Sequence, residues 1–176
     1  MLVVTSIIQD VPRQDSKPGT SGSQVSAAEQ AYVALLRTAY HLDRDFALFL
    51  KPYELSPTQY NALRILRGAG PQGLACSGIA DRMLNQDSDI TRLMDRLEKR
   101  GLVTRQRAKD DRRVICAKIS VKGQNLLQRL DRPVTDYVAR RMEALGERLG
   151  EFRSMLEDIG ETEWQELSES DPGIQN

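Results

Sequence analysis

The chain reads SGIADRMLNQDSDITRLMDRLEKRGLVTR from residue 77 to 105 and KDDRRVICAKISVKG from residue 109 to 123, and these two stretches decide the fold. Ser77 is a suitable N-cap for a short third helix. After a turn, apolar residues at steps of three and four predict a fourth helix near residues 87–100. Gly101 is expected to end that helix.

Two short strands are predicted next, at residues 102–106 and 114–119, with a polar and charged turn between them. In the second strand, Ile115, Ala117 and Ile119 share one face at a spacing of two. A short helix, a turn, a longer helix and a two-stranded hairpin are, in that order, the elements of a winged helix-turn-helix. A helix of about 14 residues supplies roughly 20 Å of rod for a DNA major groove about 12 Å wide.

Two more helices are predicted on the N-terminal side of this motif. Apolar residues recur at steps of three and four from Ala27 onward, and Pro52 is expected to end this first helix. Ser56 followed by a proline is typical of an N-cap and predicts a second helix that ends near Gly68. The apolar pair at residues 74–75 is predicted to be a short strand.

The C-terminal part of the chain predicts a long helix from Lys122, with a kink at Pro133. Beyond it, apolar residues step by four, three, four and three in a coiled-coil-like seam of Leu145, Leu149, Phe152, Leu156 and Ile159. This seam and the first helix carry more apolar side chains than one small winged domain can bury. We therefore expect a homodimer.

The predicted fold class is mainly α with a small β-hairpin wing. A winged helix-turn-helix domain at residues 55–119 is combined with a helical dimerisation region formed by the N- and C-terminal helices, at residues 27–50 and 122–165. Residues 1–26 include a stretch rich in Ser, Gly, Pro and Gln and are expected to form a disordered tail. Residues 166–176 are expected to form a flexible tail.

The charge of the chain is segregated. Its formal net charge is zero, which excludes a globally basic protein held to phosphates by its overall field. Residues 96–113, however, carry eight basic and three acidic residues, a local charge of plus five, whereas the chain from Glu143 onward is strongly acidic. This pattern predicts an oriented molecule with one face toward phosphate.

Several classes of protein are not expected. One histidine, no motif that pairs a nucleophile with a base and no Gly-rich phosphate loop argue against an enzyme. Two cysteines without zinc-ligand spacing predict neither a disulfide scaffold, nor a metal site, nor a cofactor. The apolar start at residues 1–8 is shorter than a membrane span of roughly 20 residues and lacks a basic flank, so we expect a cytoplasmic protein without a membrane partner.

The polar face of the fourth helix is predicted to read DNA. Gln86, Ser88, Thr91 and Arg92 offer short hydrogen-bonding groups and one arginine, which suit base edges or nearby phosphates. Asp87 and Asp89 fit less well, because carboxylates repel phosphate, although they also favour the positive end of a helix dipole.

The two quoted stretches resemble the recognition helix and wing of the MarR family of bacterial regulators, including a D-R-R triplet and the turn at residues 119–123. LSPTQYNALRIL at residues 55–66 is similar to the second helix of that family. The resemblance runs from about residue 27 to 165 and implies a triangular homodimer that binds double-stranded DNA. It also implies that Arg113 enters the minor groove while Asp111 orients it, where a narrow groove concentrates negative potential. The full set of predicted DNA-binding residues is Ser56, Ser77, Gln86, Ser88, Thr91, Arg92, Arg96, Lys109, Asp111, Arg112 and Arg113.

The resemblance also implies release from DNA by a small aromatic or lipophilic effector, since many relatives bind such ligands beside the dimer helices. The candidate ligand-binding residues are Arg37, Tyr40, His41 and Arg44. Two alternatives stay open at this stage. One is a winged-helix module for protein-protein contact without strong DNA binding. The other is a redox-sensing regulator that uses Cys76, whose pKa the positive helix end is expected to lower.

Overall fold

The computed structural model of the protein describes residues 25–84, 89–107 and 115–161. The chain divides after Ser120 into two compact units. Within the described ranges, the first unit contains four α-helices and a small sheet, and the second contains two α-helices. None of the helices described is long and apolar enough to cross a lipid bilayer.

Capping residues set the start of the first two helices. Helix α1 runs from Ala27 to Leu50 and begins with a capping box between Ser26 and Glu29. Helix α2 runs from Pro57 to Gly68 and begins with a second capping box, in which the hydroxyl of Ser56 accepts from the backbone N–H of Gln59. The predicted N-cap at Ser56 and the proline at the first helical position are therefore confirmed.

A short turn joins these two helices. Residues 51–53 form a 3₁₀ turn, and Glu54 after it adopts a left-handed backbone with φ 56°. Phe46 of α1 meets Tyr60 of α2 edge to face, with ring centroids 5.5 Å apart. This aromatic contact packs the C-terminal half of α1 against α2.

The sheet has three antiparallel strands in the order β1-β3-β2, with β1 at Leu74–Ala75, β2 at Val103–Arg107 and β3 at Ile115–Ile119. Strand β3 pairs Ala117 with Leu74 on one side and with Arg105 on the other. Gly73 precedes β1 with φ +74°, and a Cβ there would collide with the carbonyl of Ala117. Only glycine fits this close approach of two backbones.

Helices α3, at Cys76–Ala80, and α4, at Ile90–Lys99, complete the first unit. The inner face of α4 is buried in the core at Leu93, Met94 and Leu97, as the spacing predicted. Further fully buried large side chains come from α1, α2, α3 and the start of β2: Val33, Leu50, Leu63, Leu66, Ile79, Leu102 and Val103. One continuous apolar core thus supports α4 from behind.

Two predicted helix starts are wrong. Helix α4 begins at Ile90 and not near residue 87, because Asp89 has an extended backbone and acts as the N-cap. Helix α3 begins at Cys76, one residue before the predicted cap, and Ala75 precedes it without a side-chain cap. Ser77 therefore lies inside the first turn of α3 and does not cap it.

The second unit consists, where described, of helix α5 at Val121–Met142, a 3₁₀ segment at residues 143–148 and helix α6 at Leu149–Glu161. Helix α5 continues through Pro133, and its buried apolar residues are Leu126, Leu127, Leu130 and Val134. Gly146 interrupts the helical backbone with φ 51° and ψ −128°. The assignment of these helices and α1 to a dimerisation region remains a prediction.

Candidate nucleic-acid interface

The N-terminus of α4 is organised by Asp89. Its carboxylate accepts a hydrogen bond from the backbone N–H of Arg92 at 3.1 Å and pairs with Nε of the same arginine at 3.1 Å. The Arg92 side chain is still 77% exposed. Asp89 thus satisfies a free N–H at the helix start, and the arginine beside it stays accessible to a ligand.

The outer face of α4 is polar and accessible. Thr91, Arg92, Arg96 and Lys99 are exposed, whereas Leu93, Met94 and Leu97 on the opposite face are buried. A helix of ten residues spans about 15 Å, which is shorter than predicted but still long enough to lie in a major groove. The core holds the buried face, so the polar face projects outward.

Arg105 of β2 connects the wing strand to α4. Its Nη2 lies 2.7 Å from Oδ1 of Asp95 and 2.6 Å from Oε2 of Glu98, and its Nε donates to the same Oε2 at 2.8 Å. The backbone N–H of Arg105 donates to Oε1 of Glu98 at 3.1 Å. The Glu98 hydrogen bond is the main reason why the pKa of Arg105 lies above its usual range. We call Asp95, Glu98 and Arg105 the carboxylate clamp.

A second arginine anchors the C-terminal end of α4. The guanidinium of Arg100 donates to the backbone carbonyls of Tyr53 and Glu54 and pairs with the Glu54 carboxylate at 3.3 Å. These contacts tie the end of α4 to the turn between α1 and α2. They also satisfy carbonyl groups next to the left-handed residue Glu54.

These contacts correct the charge estimate made from the sequence. Two of the eight basic residues counted in the middle segment, Arg100 and Arg105, are paired with carboxylates. Asp95 and Glu54 lie outside the counted window, so the window overstated the positive charge available to phosphate. The sequence contained one indication of this pairing, because the carboxylates Asp95 and Glu98 are three residues apart and share a helix face.

The structure brings part of the predicted site together. Thr91, Arg92 and Arg96 lie on the exposed face of one helix. Ser56 and Ser77 are exposed at the starts of two other helices, but the Ser56 hydroxyl already accepts from Gln59. The remaining predicted residues lie outside the described part of the chain: Gln86, Ser88, Lys109, Asp111, Arg112 and Arg113.

The candidate ligand residues lie along α1. Arg37, Tyr40 and His41 are exposed, and the rings of Tyr40 and His41 meet edge to face at 5.8 Å. Arg44 pairs with Asp45 at 3.3 Å. Arg44 also lines an open recess of about 430 Å³, whose other lining residues are Ala47, Leu48, Lys51, Glu54, Leu55, Ser56 and Pro57.

Cys76 does not have the lowered pKa expected from the sequence. Burial raises the pKa of its thiol, and the weaker attraction of Arg105 does not offset this effect. Helix α3 has five residues, so the field at its N-terminus is small compared with desolvation. A thiol kept protonated is a poor nucleophile, which argues against Cys76 as a reactive sensor. Within the described residues no cluster of His, Cys, Asp and Glu could hold a metal ion.

Comparison with known proteins identifies the class. The model of the MarR family matches residues 55–115. The crystal structure of a MarR transcription factor from Planctomyces limnophilus is 38% identical and covers 77% of this chain and 98% of its own, with a TM-score of 0.60. The transcriptional repressor CouR, solved on a 23-mer DNA duplex, is 29% identical and covers 78% of this chain and 99% of its own, with a TM-score of 0.67.

A curated relative agrees with this result. The HTH-type transcriptional regulator YpoP of Bacillus subtilis is 31% identical over 109 residues, which are 62% of this chain and 76% of YpoP. The chain therefore belongs to the MarR family. It is a DNA-binding transcription regulator, and the predicted winged helix-turn-helix fold is confirmed.

Proposed function

We propose that the protein is a homodimeric repressor that binds a pseudo-palindromic operator, with one half-site for each subunit. The observation that carries the proposal is the exposed polar face of α4, which the buried Leu93, Met94 and Leu97 hold from behind. Two such helices related by a two-fold axis would lie about one DNA turn apart, roughly 34–36 Å.

An unsatisfied apolar face supports dimerisation. Helix α6 has no buried residue among those described, and its apolar residues Met155 and Ile159 are 49% and 60% exposed. Apolar residues at helical spacing that the described part of the chain leaves uncovered favour association with a second copy. We therefore assign α6, together with the rest of residues 122–165 and residues 27–50, to the dimerisation region.

The DNA-contacting residues are proposed to act in two groups. On α4, Thr91, Arg92 and Arg96, with Gln86 and Ser88 before the helix, would contact base edges and adjacent phosphates. In the wing, Arg113 would enter the minor groove. The supporting wing residues are Lys109, Asp111 and Arg112, and the helix starts at Ser56 and Ser77 would approach phosphates.

The experiment is binding of the purified protein to the DNA beside its own gene, with a salt titration. Arg92→Ala should cost about 1–3 kcal/mol on the cognate site and much less on unrelated DNA, as expected for a lost base contact. Arg113→Ala should weaken binding to all sequences together and flatten the salt dependence, because fewer counterions are displaced. Salt-insensitive binding in the wild-type protein would instead favour a protein-protein module.

We further propose that a small aromatic or lipophilic effector releases the protein from DNA. Two cationic side chains, Arg44 and Lys51, border the recess beside α1, and most of its other lining is apolar, which suits an aromatic carboxylate. Arg37, Tyr40 and His41 lie on the same helix and extend the candidate site.

The effector proposal is tested with benzoate as a plain aromatic acid. The wild-type protein on its operator is titrated with benzoate, and Lys51→Gln and Arg44→Gln should require more of it for release. Cyclohexanol, which has no charge, is the matched control for the carboxylate. Equal responses of wild type and both variants would contradict this location.

A further inference from the structure

The carboxylate clamp joins α4 and strand β2, the two elements of the first unit that belong to the proposed DNA-binding surface. Strand β2 leads into the wing, and α4 carries the exposed polar face described above. Arg105 makes four contacts across this junction, all between 2.6 and 3.1 Å, to Asp95 and Glu98. Three of these contacts come from the guanidinium itself. Its Nε and Nη2 both donate to Glu98, and its Nη2 also pairs with Asp95.

The geometry of the guanidinium makes this junction stiff. Arginine presents its donors in a rigid planar fork, whereas lysine presents one rotatable ammonium. Holding two carboxylates on successive turns of α4 therefore fixes both the distance and the orientation of β2 relative to the helix. The backbone bond from Arg105 to Glu98 adds a second point of attachment on the same residue.

The clamp also controls charge on the outer side of α4. The side chains of Asp95 and Glu98 are 44% and 38% exposed, so a nearby phosphate would be repelled by either carboxylate if it were unpaired. Asp95 lies one helical turn beyond Thr91 and next to Arg96 on the outward side. Arg105 offsets this negative charge where the helix would meet DNA.

We propose that Arg105 is a positioning residue for DNA recognition, which sets the wing strand at a fixed angle to α4 so that both elements engage one half-site together. This inference rests on the proposed function, because it assumes that α4 and the wing contact the same DNA. Arg105 itself need not touch DNA, since its guanidinium is already held by Asp95 and Glu98 and is only 24% exposed.

The test compares Arg105→Lys and Arg105→Met with the wild-type dimer on the operator and on an unrelated duplex of equal length. Arg105→Lys keeps the charge but cannot hold both carboxylates in one plane. We expect either variant to lose at least tenfold in operator affinity and less on the unrelated duplex. The ratio of the two affinities, which reports specificity, should therefore fall. A role limited to folding would lower the unfolding temperature but leave that ratio unchanged in the folded dimer.

A triple variant separates positioning from charge. Arg105→Met combined with Asp95→Asn and Glu98→Gln removes the clamp and both negative charges. If Arg105 acts by position, operator affinity should stay reduced, although the triple variant carries one negative charge fewer at this junction than the wild-type clamp. Full recovery of operator affinity in the triple variant would overturn the proposal. If Arg105→Met does not fold, Asp95→Asn alone removes one contact, and unchanged specificity in that variant would count against the proposal.

The control is Arg64→Met, which removes an exposed arginine of α2 that donates to the hydroxyl of Tyr60 at 2.9 Å and lies outside both the proposed DNA-binding residues and the dimerisation region. It should bind both duplexes as wild type does, provided that sedimentation shows the same oligomeric state. Failure of the wild-type protein to bind any DNA would refute the proposed function and this inference with it. Binding by wild type with equal specificity in the Arg105 variants would refute this inference alone.

Discussion

Helices α4 and α6 carry apolar residues at the same helical spacing, yet these residues differ in how far they are buried. In α4 the residues Leu93, Met94 and Leu97 are buried, and the exposed fraction of Leu97 is 0%. In α6 no described residue is buried, and Leu156 and Ile159 remain 37% and 60% exposed. An apolar stripe therefore shows that a face needs cover, but not whether the same chain supplies it.

The polar contacts of the two helices differ in the same way. Arg100 ties the end of helix α4 to the turn between α1 and α2. Arg105 of β2 ties that strand to Asp95 and Glu98 of α4. In α6 the ion pair between Arg153 and Glu157 lies within the helix, and both side chains are more than half exposed. We conclude that contacts with other elements fix the position of α4, whereas the side chains described for α6 remain accessible at its surface.

The largest effect is expected from the core beneath α4. Leu97→Ala should lower the free energy of unfolding by about 2–5 kcal/mol, because it removes buried methyl groups and leaves a cavity. Chemical denaturation measures the loss. Lys99→Ala on the exposed face of the same helix is the control and should stay within about 0.5 kcal/mol of wild type. Similar losses in both variants would mean that α4 is not held by its apolar face.

The next effect concerns the apolar surface of α6. Leu156→Asp should weaken the dimer by about 1.5–3 kcal/mol, roughly tenfold or more in its dissociation constant, since a side chain of this size loses its burial. Sedimentation at several concentrations measures the change. Ser154→Asp places the same charge on the opposite side of the helix and should leave the dimer intact. A monomeric wild-type protein at micromolar concentration would contradict the assignment of α6.

A smaller effect concerns Cys76, which packs in the first unit. Because burial raises the pKa of this thiol, less thiolate is present at pH 8 than in an exposed cysteine, and alkylation by iodoacetamide should be slower. The rate should keep rising with pH beyond the point where an exposed thiol levels off. Cys116→Ser isolates the signal of Cys76 for mass spectrometry. Alkylation of Cys76 at pH 7 as fast as in the denatured chain would revive the thiol-sensing alternative.

The smallest effect is expected from the ion pair on α6. Arg153→Ala removes a pair spaced four residues apart whose side chains are 78% and 59% exposed. Such exposed pairs contribute about 0.3–0.5 kcal/mol, so the free energy of unfolding should fall by no more than that amount. Chemical denaturation at low and high salt measures it. A larger loss that vanishes at high salt would indicate that Arg153 has a further partner, for example in a second subunit.

The sequence by itself determined which faces are apolar and where α1 and α2 begin and end. The capping box at Ser56, the buried side of α4 and the pairing of two strands after Gly101 all follow from local spacing and turn chemistry. These features depend on residues within a few positions of one another. Local preferences and apolar periodicity are therefore enough to predict them.

Only the tertiary structure decided which of the charged side chains are paired with one another. Arg100 and Arg105 looked like part of a basic surface, but their partners on the turn before α2 and on α4 neutralise them. The same holds for Cys76, whose burial outweighs the field of a short helix. Charge pairing and desolvation depend on distances between residues far apart in the chain, and a linear sequence does not specify those distances until the core has packed.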